Sequence, residues 1–288
     1  MTYAVITPAK DEAENLRRLA DSLAAQAVLP AVWLVVDSGS VDGTPQLVAE
    51  LAAEHPWIRL LEIPRPVDAP RGAPIVRAFH AGLDALEDGI ELVAKVDADV
   101  SFEPDYFARL VGAFEDDPKL GLASGSCFEL EEGAWKQRFG TGANVWGAAR
   151  LYRAACLGQI LPLDERMGWD GIDVVKANVR GWRTETMLDL PFFHHRAEGI
   201  RERGPWHQWT IEGDASHFMG YRVPYLVVRT FFQASRTPAA FGMLWGYGKA
   251  AARRAPTCPD ESVRAYVRET QRLRTLPSRG REALGQSR

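Results

Sequence analysis

Residues 3–16 read YAVITPAKDEAENL, and the architecture of the chain follows from how they divide. Tyr3 to Thr7 is a short apolar run that reads as a buried strand, and Leu16, Leu19 and Leu23 then recur at helical spacing until Pro30. The alternation continues. Val32 to Val36 is a second strand, and Thr44 to Glu54 is a helix with Thr44 as N-cap and Pro45 at its first position. Trp57 to Ile63 is a third strand, Pro74 to Glu87 a helix and Leu92 to Val96 a fourth strand. Strands joined through helices imply right-handed crossovers and a mostly parallel sheet covered on both faces. In such sheets ligands bind outside the carboxyl ends of the strands. Those ends carry TPAKDEAEN, Asp37-Ser38-Gly39-Ser40 and Asp97-Ala98-Asp99, so acidic and hydroxyl groups converge on one edge.

Beyond residue 100 the pattern is less regular. Pro104 to Phe114, Val145 to Leu157 and Gly171 to Val179 read as helices, Leu120 to Phe128 as a strand and Arg183 to His195 as extended chain. Residues 1–220 are expected to form one domain and 221–288 an extension.

Of 288 residues, 46% are hydrophobic and 25% charged, with no repeat or low-complexity tract, which excludes a disordered or fibrous chain. Cys127, Cys156 and Cys258, without a C-x-x-C pair, exclude a disulfide scaffold and point to a reducing, cytoplasmic location. The N-terminus shows no signal-peptide pattern, and no run reaches the roughly 18 apolar residues of a membrane span. The net charge of −4 averages two unlike parts: residues 249–288 hold ten Arg or Lys against four Asp or Glu, leaving −10 on the first 248. No nucleic-acid partner is expected.

Asp97 and Asp99, in KVDADV, are one residue apart at a strand end, so both carboxylates can face the same side. Two hard oxygen donors suit Mg²⁺ or Mn²⁺, which also binds substrate phosphates and neutralises a departing diphosphate. The competing reading is a solvated strand end.

In this order and spacing, TPAKDEAENL, VVDSGSVDGT, RGAPIVRAFHAGL and KVDADV resemble the family 2 glycosyltransferases with the GT-A fold, over roughly residues 3 to 200. The resemblance implies an α/β, Rossmann-like and mostly parallel sheet flanked by helices. Its expected halves are a nucleotide-sugar-binding part in 1–100 and an acceptor-binding part in 101–220. It also implies inverting transfer of a sugar from a nucleoside diphosphate sugar to an acceptor hydroxyl, in cell-envelope or polysaccharide synthesis. Thr7, Pro8 and Glu12 would border the nucleoside pocket, and Asp37 would bind base or ribose. Ser38 stands where the family usually has a second acid. Asp42, Gly43 and Thr44 read as a turn and helix cap. Arg71 and Gly72 match a basic residue and glycine near the donor phosphates, or form a loop among Pro64, Pro66, Pro70 and Pro74.

GWDGIDVVKANVRGWRTETMLDLPFFHHR resembles the family's acceptor region. Trp169 replaces the usual first acid and Asp170 matches the catalytic base, which takes the acceptor proton. As alternatives, Asp170 caps the helix, and Asp173 caps it or binds acceptor. His194 and His195 end the next strand; a histidine here supplies a further metal ligand in some GT-A enzymes, and only one of two strand neighbours can face the site. Otherwise they pack and hydrogen-bond locally. Trp206 and Trp209 fall in an expected loop, where they stack on sugar or simply pack.

After Pro224, Arg222, Arg229, Gln233 and Arg236 are expected on one helical face opposite Leu226, Val227 and Phe231, and Pro238 opens a second helix that turns basic at Lys249. Across 222–254 these helices suit an anionic membrane surface, packing on the core, or a homodimer contact. The final helix, with Arg264, Arg268 and Arg272 four apart, reads as a solvated face. QASRT at Gln233 to Thr237 lacks the tryptophan of the Q-x-x-R-W motif of processive synthases, so transfer of single sugars to a sugar or lipid-linked acceptor fits better. Two other functions remain open: an inert sugar-nucleotide-binding protein, and a sugar nucleotidyltransferase, whose glycine-rich loop with lysine TPAKDEAEN lacks.

Overall fold

The computed structural model describes residues 1–64, 69–70, 72–131, 133–138, 145–196 and 204–272. The chain divides into two compact units, Met1–Arg196 and Ala197–Arg288.

The first unit opens with β1 (Tyr3–Ala9), α1 (Ala13–Ala24), β2 (Val32–Asp37), α2 (Thr44–Glu54), β3 (Ile58–Glu62), α3 (Ala73–Asp84) and β4 (Leu92–Val96). β3, β2, β1 and β4 lie side by side and parallel. Strand alternation sends Tyr3 and Val5 into the core beneath α1, and Ala4 and Ile6 into the core beneath α3. Both faces are therefore covered, which leaves the carboxyl ends of the strands as the place for a ligand.

There follow β5 (Val100–Phe102), α4 (Tyr106–Asp116), β6 (Leu120–Glu131), β7 (Ala134–Gln137), β8 (Ala149–Arg153), α5 (Ala154–Ile160), α6 (Trp169–Val179) and β9 (Arg183–His194). The sheet continues from β4 through β8, β6 and β9 to β5, with β7 paired to β6. β5 stands four places from β4, about 19 Å across a flat sheet. The three residues between them allow about 14 Å at full extension. The sheet must curl, and Asp97-Ala98-Asp99 close it: Asp97 N donates to Ala148 O (2.8 Å), and Asp99 O accepts from His195 N (2.9 Å).

Two local expectations change in this unit. Residues 149–153 form a strand rather than part of a helix, because ARLYR pairs antiparallel with β4 and sends Leu151 into one core and Tyr152 into the other. Gly43, with φ 91°, is the N-cap of α2, and Thr44 is its first residue. Its hydroxyl instead donates to Asp42 Oδ1 (2.6 Å) and accepts from Glu12 N (2.9 Å).

The second unit contains α7 (Pro205–Phe218), α8 (Val223–Ala234), a 3-10 turn (Pro238–Phe241), α9 (Gly242–Ala252) and α10 (Glu261–Thr270). Trp206 and Trp209 thus lie on a helix, not in a loop. α7 and α9 pack almost backbone to backbone: a Cβ on Gly213 or Gly246 would stand 2.0 Å from a carbonyl of the facing helix. On α8 the inward residues are Leu226 and Thr230. The expected division of faces does not hold, since Phe231 is 58% exposed and Arg229 turns to Glu212 (3.1 Å).

Candidate active site

Two loops at the carboxyl ends of β1 and β2 are stitched together by side chains. Asp11 N donates to Ser40 Oγ (2.8 Å), Val41 N to Asp11 Oδ1 (2.8 Å) and Ala13 N to Asp42 Oδ2 (3.0 Å). Asp42 therefore caps the first turn of α1 from the neighbouring loop. Asp37 is buried, and its carboxylate accepts from Gly39 N, Ser40 N and the Ser40 hydroxyl, so it first shapes its own turn. Ser38 bonds back to Ala9 O through both N and Oγ. Thr7 is buried with its hydroxyl accepting from Trp33 Nε1 (2.9 Å), which leaves the half-buried Pro8 and the loop backbone to face a ligand.

Asp97 and Asp99 receive different partners. Lys95, buried at the end of β4, donates to Asp97 Oδ1 (2.5 Å) and to Gly147 O (2.9 Å). Burial, reinforced by the charge of Asp99 and opposed by Lys95, pushes the Asp97 carboxyl above its ordinary range. Burial would raise Asp99 too, but the hydrogen bond and charge of His194, aided by Arg196, hold it below. Environments that separate two neighbouring carboxyls in this way keep one of them reliably ionised.

His194 Nε2 lies 3.3 Å from Asp99 Oδ1, and Nδ1 lies 3.6 Å from Glu129 Oε1. Burial opposes its protonation, but Asp99, Cys127 and Glu129 overcome that and lift the imidazole to about 12. His195 takes the other face, with Nε2 2.7 Å from Ser101 Oγ and its ring against Trp135; burial and Arg18 lower it to about 4. Of the paired histidines, the structure brings His194 to Asp99 and keeps His195 away. Adjacent ligands of an octahedral divalent cation lie about 3 Å apart, so Asp99 and His194 fit Mn²⁺ or Mg²⁺ in spacing and donor type. Among the described residues, Cys127, Glu129 and His194 also form a buried group with ligand atoms within 4.8 Å of one another.

Arg71 lies outside the described residues. Gly72, at φ 89°, lets the backbone of Arg166 and Met167 approach so closely that a Cβ would stand 2.6 Å from Arg166 O. That backbone leads into α6, where Asp170 sits half-buried in the first turn with Oδ2 against the Cα of Gly147. The left-handed Gly168 is the N-cap, so Asp170 is not. Gly147 therefore separates Asp170 from the Lys95–Asp97 pair. Trp169, in the place of an acid, lies buried between the cations of Lys95 (5.4 Å to its ring centre) and Arg150 (5.1 Å). Asp173 is buried away from any acceptor, bound to Arg150 Nη1 and the Tyr152 hydroxyl at 2.5 Å each.

Lys95, Glu129, Arg150 and Arg196 were not assigned from sequence. Arg196 could have been, since it follows the two histidines directly. The others sit within strands, where a charge reads as an outward residue until the register is known.

The family model described as glycosyl transferase family 2 matches residues 4–153. Over 122 residues the chain is 36% identical to polyprenol monophosphomannose synthase of Mycolicibacterium smegmatis, a match covering 42% of this chain and 43% of that protein. Over 108 residues it is 29% identical to succinoglycan biosynthesis protein ExoA of Rhizobium meliloti, covering 37% and 31%. The chain thus spans less than half the length of these curated relatives. Among solved structures it is similar to the mannosyltransferase PcManGT from Pyrobaculum calidifontis, in complex with GDP-Man and Mn²⁺, with TM-score 0.60 and 19% identity over 99% of this chain and 88% of that one. It is also similar to S. aureus TarS 1–349 in complex with UDP-GlcNAc, with TM-score 0.56 and 19% identity over 74% and 65%. These likenesses establish the GT-A fold.

Proposed function

The chain belongs to glycosyl transferase family 2, and on that footing we propose that it moves a single sugar from a nucleoside diphosphate sugar to an acceptor hydroxyl, inverting the anomeric carbon. The observation that carries this reading is the meeting of Asp99 and His194 at the carboxyl edge of the sheet, tied through Arg196 to Glu12 in the loop after β1.

The roles follow from placement. Pro8, Glu12 and the turn of Asp37 and Ser38 border the nucleoside, largely through backbone groups already held in position. Asp99 and His194 hold Mn²⁺ or Mg²⁺, with imidazole favouring Mn²⁺. A cation held there would supply positive charge to balance the departing diphosphate. Lys95 holds Asp97 at the edge of that site. Asp170, fixed against Gly147, takes the proton of the acceptor hydroxyl as it attacks opposite the diphosphate.

For the acceptor we favour a lipid-linked molecule at the inner face of a membrane, within glycolipid or polysaccharide synthesis, as the names of the two curated relatives suggest. No helix among the described residues is long and apolar enough to cross a membrane. Residues 215–259, however, contain no Asp or Glu against six Arg or Lys, and Phe231, Phe241 and Trp245 are exposed there. Aromatic side chains beside basic ones suit an anionic interface.

The test is a panel of nucleoside diphosphate sugars with Mn²⁺ or Mg²⁺. Release of nucleoside diphosphate that disappears in Asp99→Ala supports the transferase. Absence of hydrolysis and transfer with every donor, together with unchanged nucleotide binding in Asp99→Ala, overturns it. Co-sedimentation with anionic vesicles should weaken with salt and in Trp245→Glu; binding indifferent to both rejects the membrane contact.

A further inference from the structure

We propose that Glu129 is a positioning residue for the imidazole of His194; this rests on reading Asp99 and His194 as cation ligands. Glu129 on β6 and His194 on β9 are direct partners in the parallel register, so their side chains leave the sheet on one face. Glu129 faces Nδ1 and Asp99 faces Nε2, which places one carboxylate at each ring nitrogen. Arg138 Nη1, 3.3 Å from Glu129 Oε2, balances the second oxygen. Glu129 is 1% exposed, and a carboxylate that deep is tolerated only with charged partners on both oxygens.

A neutral imidazole offers one lone pair. A cation shared with Asp99 takes the one at Nε2, so the proton stays on Nδ1, the nitrogen that Glu129 faces. A carboxylate there fixes both tautomer and ring plane. Cys127 also lies within 4.8 Å of the imidazole, but a thiol is a weak acceptor. The guanidinium of Arg138 also disfavours a second cation among Cys127, Glu129 and His194.

The test is Mn²⁺ titration of the full chain, followed by the electron paramagnetic resonance signal of free Mn²⁺, together with the thermal midpoint of the metal-free protein. Glu129→Gln keeps the shape and removes the charge. It is expected to weaken Mn²⁺ binding about 10–100-fold, whereas Cys127→Ser leaves it near wild type. Wild-type affinity in a folded Glu129→Gln variant overturns the role of Glu129 alone. A wild-type chain that takes up no Mn²⁺ overturns the cation reading as well. If Glu129→Gln does not fold, the ¹⁵N spectrum of His194 in the Mg²⁺-loaded wild type serves instead: a proton on Nδ1 supports the proposal, and one on Nε2 overturns it.

Discussion

Arg196 holds Glu12 with both terminal nitrogens, Nη1 on Oε1 at 3.0 Å and Nη2 on Oε2 at 2.6 Å, while its Nε stands 3.5 Å from Asp99 Oδ2. One guanidinium thus fastens the loop after β1 to the aspartate proposed to bind the cation. Lysine cannot reproduce this fork. Arg196→Lys is expected to cost about 1–2 kcal/mol and to raise donor KM several-fold with a smaller change in kcat, checked by denaturant unfolding and steady-state kinetics.

Asp170→Asn keeps the size of the side chain and removes its basicity. Donor affinity should stay near wild type while transfer falls about 10²–10⁴-fold. Calorimetric titration of the donor beside a transfer assay checks both; near-wild-type transfer would reassign the base.

Arg150 ties Asp173, Asp170 O and Val145 O into one buried cluster. Arg150→Met leaves the Asp173 carboxylate buried and unpaired, at an expected cost of about 3–5 kcal/mol. Arg150→Met with Asp173→Leu should recover most of that loss. A double-mutant cycle on unfolding free energies measures the coupling, and purely additive effects would contradict it.

His80 on α3 accepts the backbone N–H of Leu163 at Nε2 (3.2 Å), which requires the neutral ring. Burial is the main influence and holds His80 below its ordinary value, against the pull of Glu165 and Asp84. Because the unfolded chain protonates more readily, stability is full above about pH 6.5 and falls as pH drops toward the folded value. Urea midpoints measured from about pH 8 to 5 should show that decline, reduced in His80→Gln.

The parallel half of the sheet was legible because its strands are short Val- and Leu-rich runs ending in polar residues. The strand at 149–153 was not: five residues with two arginines carry too little periodicity, and the exposed edge of β4 selects the strand. α7 escaped because its contact with α9 is made through Gly213, Gly242 and Gly246, which leave no apolar stripe to read. In the site, Asp99 and His194 could be named from motif and order. Glu129 could not, since its pairing depends on an irregularity in the β6–β9 ladder. Gly125 faces Met187, but Ser126 already faces Pro191, so the partner of residue 129 cannot be counted from either end.

The three residues that close the curled sheet also carry Asp99, the acid proposed to bind the cation. Asp97 N is anchored to one wall through Ala148 and Asp99 O to the other through His195. Assembly of the proposed site is thus tied to one strand pairing: a chain in which β5 had not paired with β9 would leave Asp99 away from His194. Cation uptake is therefore expected to report that pairing directly, appearing during refolding together with the docking of β5 on β9 and not before it.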